Sequence, residues 1–175
     1  MKKISLILVI ITFVIYGYYL SDIYYFKLLI LENNIRTPKE AYDYVGKVTF
    51  KRDSTTKAIK GNTPRYLLEF KKILYCDESA IVMAVFDNLL GYETRLVDII
   101  GMDDISHHTV LQVKEHNKWI VYDRLYDNSN VEPYQTVDYE VLRIRIRKYP
   151  TIYQSITWNN YFLQKTALLL RGIKQ

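Results

Sequence analysis

The stretch that sets the fold is HHTVLQVKEHNKWIVYD, residues 107–123, which predicts a β-hairpin. Residues 110–113 and 119–122 are rich in the β-branched and aromatic side chains that favour strands, and the polar residues 115–118 form the turn between them. His108 opens the first strand and Asp123 ends the second. Because antiparallel neighbours lie side by side, a hydrogen bond between His108 and Asp123 is geometrically reasonable.

Two helices are predicted ahead of this hairpin. Thr63 and Pro64 are an N-cap residue followed by proline at the first helical position. A stripe of apolar residues then follows at helical spacing: Leu67, Leu68, Phe70, Ile73 and Leu74. The second helix is expected from about Asp77 to Leu90, because carboxylates in its first turn favour the helix dipole and Gly91 can end it in the left-handed conformation.

The remaining segments complete the prediction of an α+β domain. Residues 95–100 and 141–147 predict strands, and the second alternates apolar with basic residues: Leu142, Ile144 and Ile146 against Arg143, Arg145 and Arg147. That alternation indicates one dry face and one solvated face on a charge-protected edge strand. Residues 158–171 predict a closing amphipathic helix. Residues 27–62 read as irregular, with a short helical piece near 38–44 and a polar loop at 51–57. Helices followed by a mostly antiparallel sheet define the α+β class.

Composition excludes several classes of protein. Apolar residues make up 49% and charged residues 25% of the 175 residues, which is ordinary for a globular chain and excludes intrinsic disorder. The single cysteine excludes an internal disulfide framework and a cysteine-rich zinc site. Three histidines leave little material for a metal cage. We expect neither a metal nor an organic cofactor. The net charge of +5 is too small to indicate a nucleic-acid partner by itself.

The N-terminal segment predicts a membrane anchor. Lys2 and Lys3 precede an uncharged run, residues 4–20, that would form roughly 25 Å of helix, at the short end of what spans a bilayer. The run ends in a tyrosine cluster typical of a membrane interface, and the basic N-terminus keeps that end cytoplasmic. A cleaved signal peptide and a buried core helix are the alternatives. We therefore assign residues 1–26 to an anchor or signal sequence and residues 27–175 to an extracytoplasmic domain, membrane-anchored or secreted after cleavage.

Cys76, the only cysteine, falls at the start of the second predicted helix. The backbone N–H groups and the helix dipole stabilise a thiolate there, which is the nucleophilic form of the side chain. A thiol nucleophile needs a neighbouring base, and the base needs an acceptor that orients it. His108 and Asp123 have those chemistries, so Cys76, His108 and Asp123 are the candidate catalytic residues.

Four segments carry a resemblance to a known family: YCDESA at 75–80, GYETRLV at 91–97, HTVLQV at 108–113 and WIVYD at 119–123. Together they resemble the transglutaminase-like superfamily over about residues 63–127. The resemblance implies a papain-like fold with Cys76 as nucleophile, His108 as base and Asp123 as the residue that orients it. It implies cleavage or transfer of an amide acyl group through a thioester, on a protein or peptide substrate such as cell-wall peptide. Two positions depart from the family pattern, since Arg124 replaces a common Pro and Tyr75 replaces a small residue.

Other interpretations stay open. Cys76 taken alone fits an inert buried thiol, and His107 competes with His108, although strand alternation puts the two on opposite faces and the family pattern favours His108. We expect Arg95 to form a structural ion pair rather than to bind a substrate carboxylate, and we expect Trp119 to cover the core beneath the hairpin. The alternative function is a catalytically inactive domain of the same fold that binds peptide or glycan at the cell surface.

Overall fold

The computed structural model describes residues 22–51, 64–71, 73–129 and 140–147, together with residues 12, 13, 17, 132, 133 and 137. Its helices are α1 (residues 22–32), α2 (Pro38–Val48), α3 (Pro64–Tyr66) and α4 (Cys76–Leu89). Its strands are β1 (Phe50–Lys51), β2 (Ile73–Leu74), β3 (Thr94–Gly101), β4 (Ser106–Glu115), β5 (Lys118–Asp123), β6 (Asn128–Ser129) and β7 (Val141–Arg147). The predicted α+β class is confirmed.

The main sheet has five strands in the order β6-β5-β4-β3-β7, and every neighbouring pair is antiparallel. The predicted hairpin is β4 and β5, in register from Leu111 opposite Tyr122 to Glu115 opposite Lys118. Its tight turn places His116 and Asn117 at φ of 48° and 63°, as a type I′ turn requires. The hairpin prediction is therefore confirmed, including an exposed His116 in the turn.

Helix α4 lies at the centre of the core. It packs against β3 and β4 on one side and against α2 on another. Its sequence is apolar on nearly all sides, which is typical of a fully buried helix, and Val82, Ala84, Val85 and Phe86 have no exposed surface. Gly91 ends the helix region at φ of 92°, as predicted. The helix thus fixes the position of its own first residue, Cys76, relative to the sheet.

The predicted helix across residues 64–74 is wrong beyond its first turns. Helix α3 passes into a π-helical turn, Leu67–Lys71, and Ile73 and Leu74 then form β2. Strand β2 pairs in parallel with β1, with Phe50 opposite Ile73. Because that partner lies more than twenty residues upstream, the local apolar spacing could not reveal it.

The prediction for residues 27–62 is confirmed in its helical piece near 38–44, but other described parts of the segment are more regular than expected. Helix α2 extends well past the expected piece, because Thr37 and Glu40 form a capping box and Pro38 occupies the first turn. Lys51, placed in a loop by the sequence, belongs to β1. Helix α1 contributes Phe26 and Asp22 to the buried interior, so packing begins before residue 27.

Strand β7 is confirmed, but its predicted dry and wet faces are wrong. Leu142, Ile144 and Ile146 are between 43% and 47% exposed. Arg145 and Arg147 instead bind the carboxylate of Asp98 on β3, at 2.8 and 2.6 Å, and Asp98 is 1% exposed. Burial opposes ionisation of this carboxyl, but hydrogen bonds from the two arginines and from Thr109 outweigh it and lower the pKa of Asp98. The ion-pair cluster therefore fastens β7 to β3.

Several predicted segments fall outside the described residues. They include most of the apolar run at 4–20, the loop residues 52–57 and the closing helix at 158–171. Within the part of the chain that the structure describes, no helix combines the length and apolarity needed to cross a membrane.

Candidate functional site

Cys76 is the first residue of α4 and is partly buried. The start of the helix is fixed by Glu78, whose Oε2 accepts a hydrogen bond from the backbone N–H of Tyr75 at 3.0 Å. This is the back-bonding half of a capping box, with a tyrosine at the N-cap position. The predicted location of the sulfur at a helix N-terminus is therefore confirmed.

His108 and Asp123 form the hydrogen bond that the hairpin predicted. Nε2 of His108 lies 2.7 Å from Oδ2 of Asp123, and both side chains are almost fully buried. The other carboxylate oxygen, Oδ1, accepts hydrogen bonds from the backbone N–H groups of Leu125 at 2.9 Å and Tyr126 at 3.3 Å. The turn after β5 thus holds the carboxylate in place, and the carboxylate holds the imidazole.

The second nitrogen of the imidazole, Nδ1, is not bonded to Asp123. It is buried and has no hydrogen-bond partner within the described residues. Cys76 lies near enough to His108 for its interaction to contribute to the raised pKa of the imidazole. Because Nε2 is hydrogen-bonded to Asp123, Nδ1 is the ring nitrogen that can interact with Cys76. Such catalytic contacts are often loose without substrate and tighten in a complex.

The electrostatics of the site favour a charged imidazole. Burial tends to lower the pKa of His108, but the hydrogen bond that His108 donates to Asp123 and the interaction with Cys76 outweigh that effect and raise the pKa to about 9. His108 is then protonated at neutral pH. An imidazolium beside a sulfur is the arrangement that favours a thiolate in thiol enzymes.

Residues that the sequence did not single out complete the surroundings. The ring of Tyr126 meets the imidazole of His108 edge-on, with 5.1 Å between centroids. The Tyr42 hydroxyl on α2 donates to the backbone oxygen of Asp123 at 3.3 Å. Arg124 donates to the backbone oxygen of Gly46 at 3.1 Å and so connects the end of β5 to α2. A Cβ on Gly46 would lie only 2.7 Å from the Arg124 guanidinium, so a larger residue there would displace this guanidinium.

The other candidates lie away from this cluster or bind differently from the prediction. His107 is exposed and bonds Asp103 at 2.7 Å, so His108 is the histidine that the structure brings to Cys76. The predicted ion pair of Arg95 is wrong, because its guanidinium stacks 3.9 Å from the centre of the Trp119 ring. Trp119 is only partly buried and carries this arginine rather than covering the core.

The stability of the fold should depend on pH through His108. A folded-state pKa of about 9, above the ordinary 6.5, means that protonation stabilises the fold. The contribution is complete below pH ~6.5 and is lost as pH rises through about 9; it amounts to on the order of 3 kcal/mol. We expect the free energy of urea unfolding to decrease over this range in the wild type and to decrease much less in His108→Gln.

His107→Gln is the matched control for that measurement, because it removes an exposed histidine one position away. It should keep the wild-type pH dependence. Equal slopes for His108→Gln and the wild type would contradict the assignment.

Comparison with known proteins gives no match: no protein-family model fits the chain, and no curated protein matches it. Among the described residues, no group of three or more His, Cys, Asp or Glu side chains could hold a metal ion.

Proposed function

We propose that this chain is a thiol enzyme of the transglutaminase-like type, with Cys76 as nucleophile, His108 as proton carrier and Asp123 as the residue that positions His108. The observation that carries the proposal is a buried imidazole with one nitrogen fixed by a carboxylate at 2.7 Å and the other left for the only cysteine of the chain. This is the arrangement that an activated nucleophile requires.

In the first half of the reaction, the Cys76 thiolate attacks an amide carbonyl carbon. The carbonyl electron pair moves to oxygen, and the backbone N–H groups at the start of α4 offer hydrogen bonds to that oxyanion. As the intermediate collapses, the C–N bond breaks and His108 transfers its Nδ1 proton to the leaving amine. The products are a free amine and a thioester on Cys76.

In the second half, His108 is neutral and accepts a proton at Nδ1 from the incoming nucleophile. Water gives a carboxylic acid, and an amine gives a new amide; in either case the thiolate and the imidazolium are restored. Asp123 stays ionised and stabilises the imidazolium through Nε2 in each resting state.

The substrate class follows from the same chemistry. We propose a protein or peptide substrate, because its amide carbonyls are the groups a thioester mechanism acts on. An anchor at residues 4–20 would place the domain on the extracytoplasmic side, where cell-wall peptide is one such substrate.

The proposal is tested by trapping the acyl-enzyme. Full-length protein is treated with 4-nitrophenyl acetate at pH 8.5, where an ordinary thiol is about half ionised. We expect one acetyl group on Cys76, located by peptide mass mapping, and its loss over time. In His108→Ala the acetyl group should form but persist at least tenfold longer, because deacylation needs the proton acceptor. An added primary amine reveals whether the acyl group passes to amines as well as water.

Cys76→Ser and His107→Ala are the controls: the first should carry no acetyl group at position 76, and the second should behave as the wild type. A Cys76 that stays unmodified, or deacylation that is unaffected in His108→Ala, would overturn the proposal in favour of an inactive domain that binds peptide or glycan.

A further inference from the structure

A cavity of about 500 Å³ lies on the sheet, apart from the cysteine site. It is lined by Arg95, Gln112, Lys118, Trp119, Ile120, Val121 and Glu132. Gln112 is four residues from His108 along β4, a distance of about 13 Å at the usual strand rise. The volume is in the range of pockets that hold small organic ligands or part of a peptide.

Arg95 is held in a defined orientation inside this cavity. Its guanidinium stacks over Trp119, 3.9 Å from the ring centre, and its Nε donates to Oε1 of Gln112 at 2.8 Å. Gln112 is itself buried, and it lies opposite Arg95 in the β3–β4 ladder. Two contacts therefore fix the plane of the guanidinium, and neither of them is a hydrogen bond from an Nη group.

The positive charge of Arg95 has no carboxylate partner among the described residues. Arg95 is partly buried, and burial lowers its pKa, which means that the surroundings disfavour the charge. Glu93 opposes that effect only through its charge, without a contact. A half-buried, preoriented guanidinium without an ion pair is stabilised when an anion binds to it.

The lining specifies the class of anion. Arg95 and Lys118 provide two positive charges and Glu132 one negative charge, so the net charge of the lining is +1 and fits a monoanion better than a dianionic phosphate. The two Nη groups match the two oxygens of a carboxylate. Ile120, Val121 and the Trp119 ring offer apolar surface to the rest of the ligand.

We propose that this cavity binds a carboxylate on a peptide, either the C-terminal carboxylate or an acidic side chain, with Arg95 as the anchoring cation. Arg95, held in place by the Trp119 ring, binds the carboxylate, and Lys118 at the rim adds attraction. The site does not depend on Cys76, so its occupation and the acyl transfer proposed above can be tested separately.

The test is isothermal titration calorimetry on the full-length protein. The probes are N-acetyl-Ala-Ala with a free carboxylate, its C-terminal amide, N-acetyl-aspartate amide and inorganic phosphate. We expect a carboxylate probe to bind with a millimolar or lower Kd and the neutral amide to bind at least tenfold more weakly. The tighter of the two carboxylate probes identifies the source of the carboxylate.

Variants tie the binding to this cavity. Arg95→Gln should weaken carboxylate binding at least tenfold, and Arg95→Lys should weaken it less, because a lysine keeps the charge but not the paired donors. Arg143→Gln is the matched control, since Arg143 pairs with Asp104 at the surface, and it should bind as the wild type does. Cys76→Ser should also bind normally, which separates this site from the catalytic proposal.

Three results would overturn the proposal. The first is equal binding of the acid and the amide. The second is an unchanged Kd in an Arg95→Gln protein that keeps its circular dichroism spectrum. The third is no binding of either carboxylate probe at about 10 mM, tenfold above the expected Kd. Tighter binding of phosphate than of both carboxylates would overturn the assigned ligand class.

Discussion

Replacing His108 with glutamine is expected to lower the rate of Cys76 alkylation by iodoacetamide at pH 6.5 by roughly 30- to 100-fold. The thiolate is the reacting form, and an ordinary thiol with a pKa near 8.5 is only about 1% ionised at this pH. The wild-type sulfur lies next to an imidazolium, because the pKa of His108 is raised to about 9. Removing that cation leaves Cys76 with the reactivity of a free thiol. The rate is measured by mass spectrometry on the intact protein.

A graded series sharpens this result. Asp123→Asn should lower the alkylation rate less than His108→Gln does, because the imidazole is still present. Some loss is expected, because the one oxygen of the amide cannot accept hydrogen bonds both from His108 and from the turn N–H groups that the two carboxylate oxygens of Asp123 accept. His107→Gln should react as the wild type does. If Cys76 in His108→Gln is alkylated at the wild-type rate at pH 6.5 while the protein keeps its fold, the proposed ion pair between Cys76 and His108 does not form.

The largest effect on stability is expected when Arg145 and Arg147 are both replaced with leucine. Asp98 is 1% exposed, and the two guanidinium groups supply its ionic hydrogen bonds. Their removal leaves a buried carboxylate whose remaining hydrogen-bond donor, among the described residues, is the Thr109 hydroxyl. Breaking a buried pair in this way costs about 3–5 kcal/mol. Because the arginines are themselves about half exposed, we expect about 3 kcal/mol in urea unfolding at pH 7.

Two further variants separate the buried charge from the loss of arginine packing. Arg143→Leu should cost less than about 1 kcal/mol, since its partner Asp104 is exposed. Adding Asp98→Asn to the double variant should recover part of the loss, because a neutral amide needs no cation. A double variant no less stable than Arg143→Leu would show that the Asp98 cluster does not hold β7.

The parts of the fold that sequence predicted are those with local signals. The hairpin was visible from two strand-forming segments around a polar turn, and α4 from its acidic first turn and Gly91. Residues 73 and 74 were misassigned because their parallel partner is distant in sequence. Helix α2 was underestimated although Thr37 and Pro38 repeat the N-terminal signal that was recognised at Thr63 and Pro64.

The three central residues of the candidate site could be predicted from the sequence, but the residues that hold them in position could not. Side-chain type and position within an element pointed to Cys76, His108 and Asp123. The backbone N–H groups of Leu125 and Tyr126 reach Asp123 because of the geometry of the turn, which the sequence around Arg124 does not predict. Tyr42 reaches Asp123 only because α2 packs near the end of β5. The partner of Arg95 was mispredicted for the same reason. Its stacking on Trp119 depends on the register of β3, β4 and β5, which the sequence alone does not give.

The imidazole and its carboxylate are carried by one hairpin with a two-residue turn, whereas the sulfur arrives on a helix from another part of the chain. In the proposed mechanism, the groups that carry the proton therefore lie on one short hairpin, and the position of the sulfur depends on how α4 packs against the sheet. A small shift of that helix along the sheet would change the distance from the sulfur to the imidazole and leave the His108–Asp123 hydrogen bond intact, so the proposed reactivity depends on the helix–sheet interface.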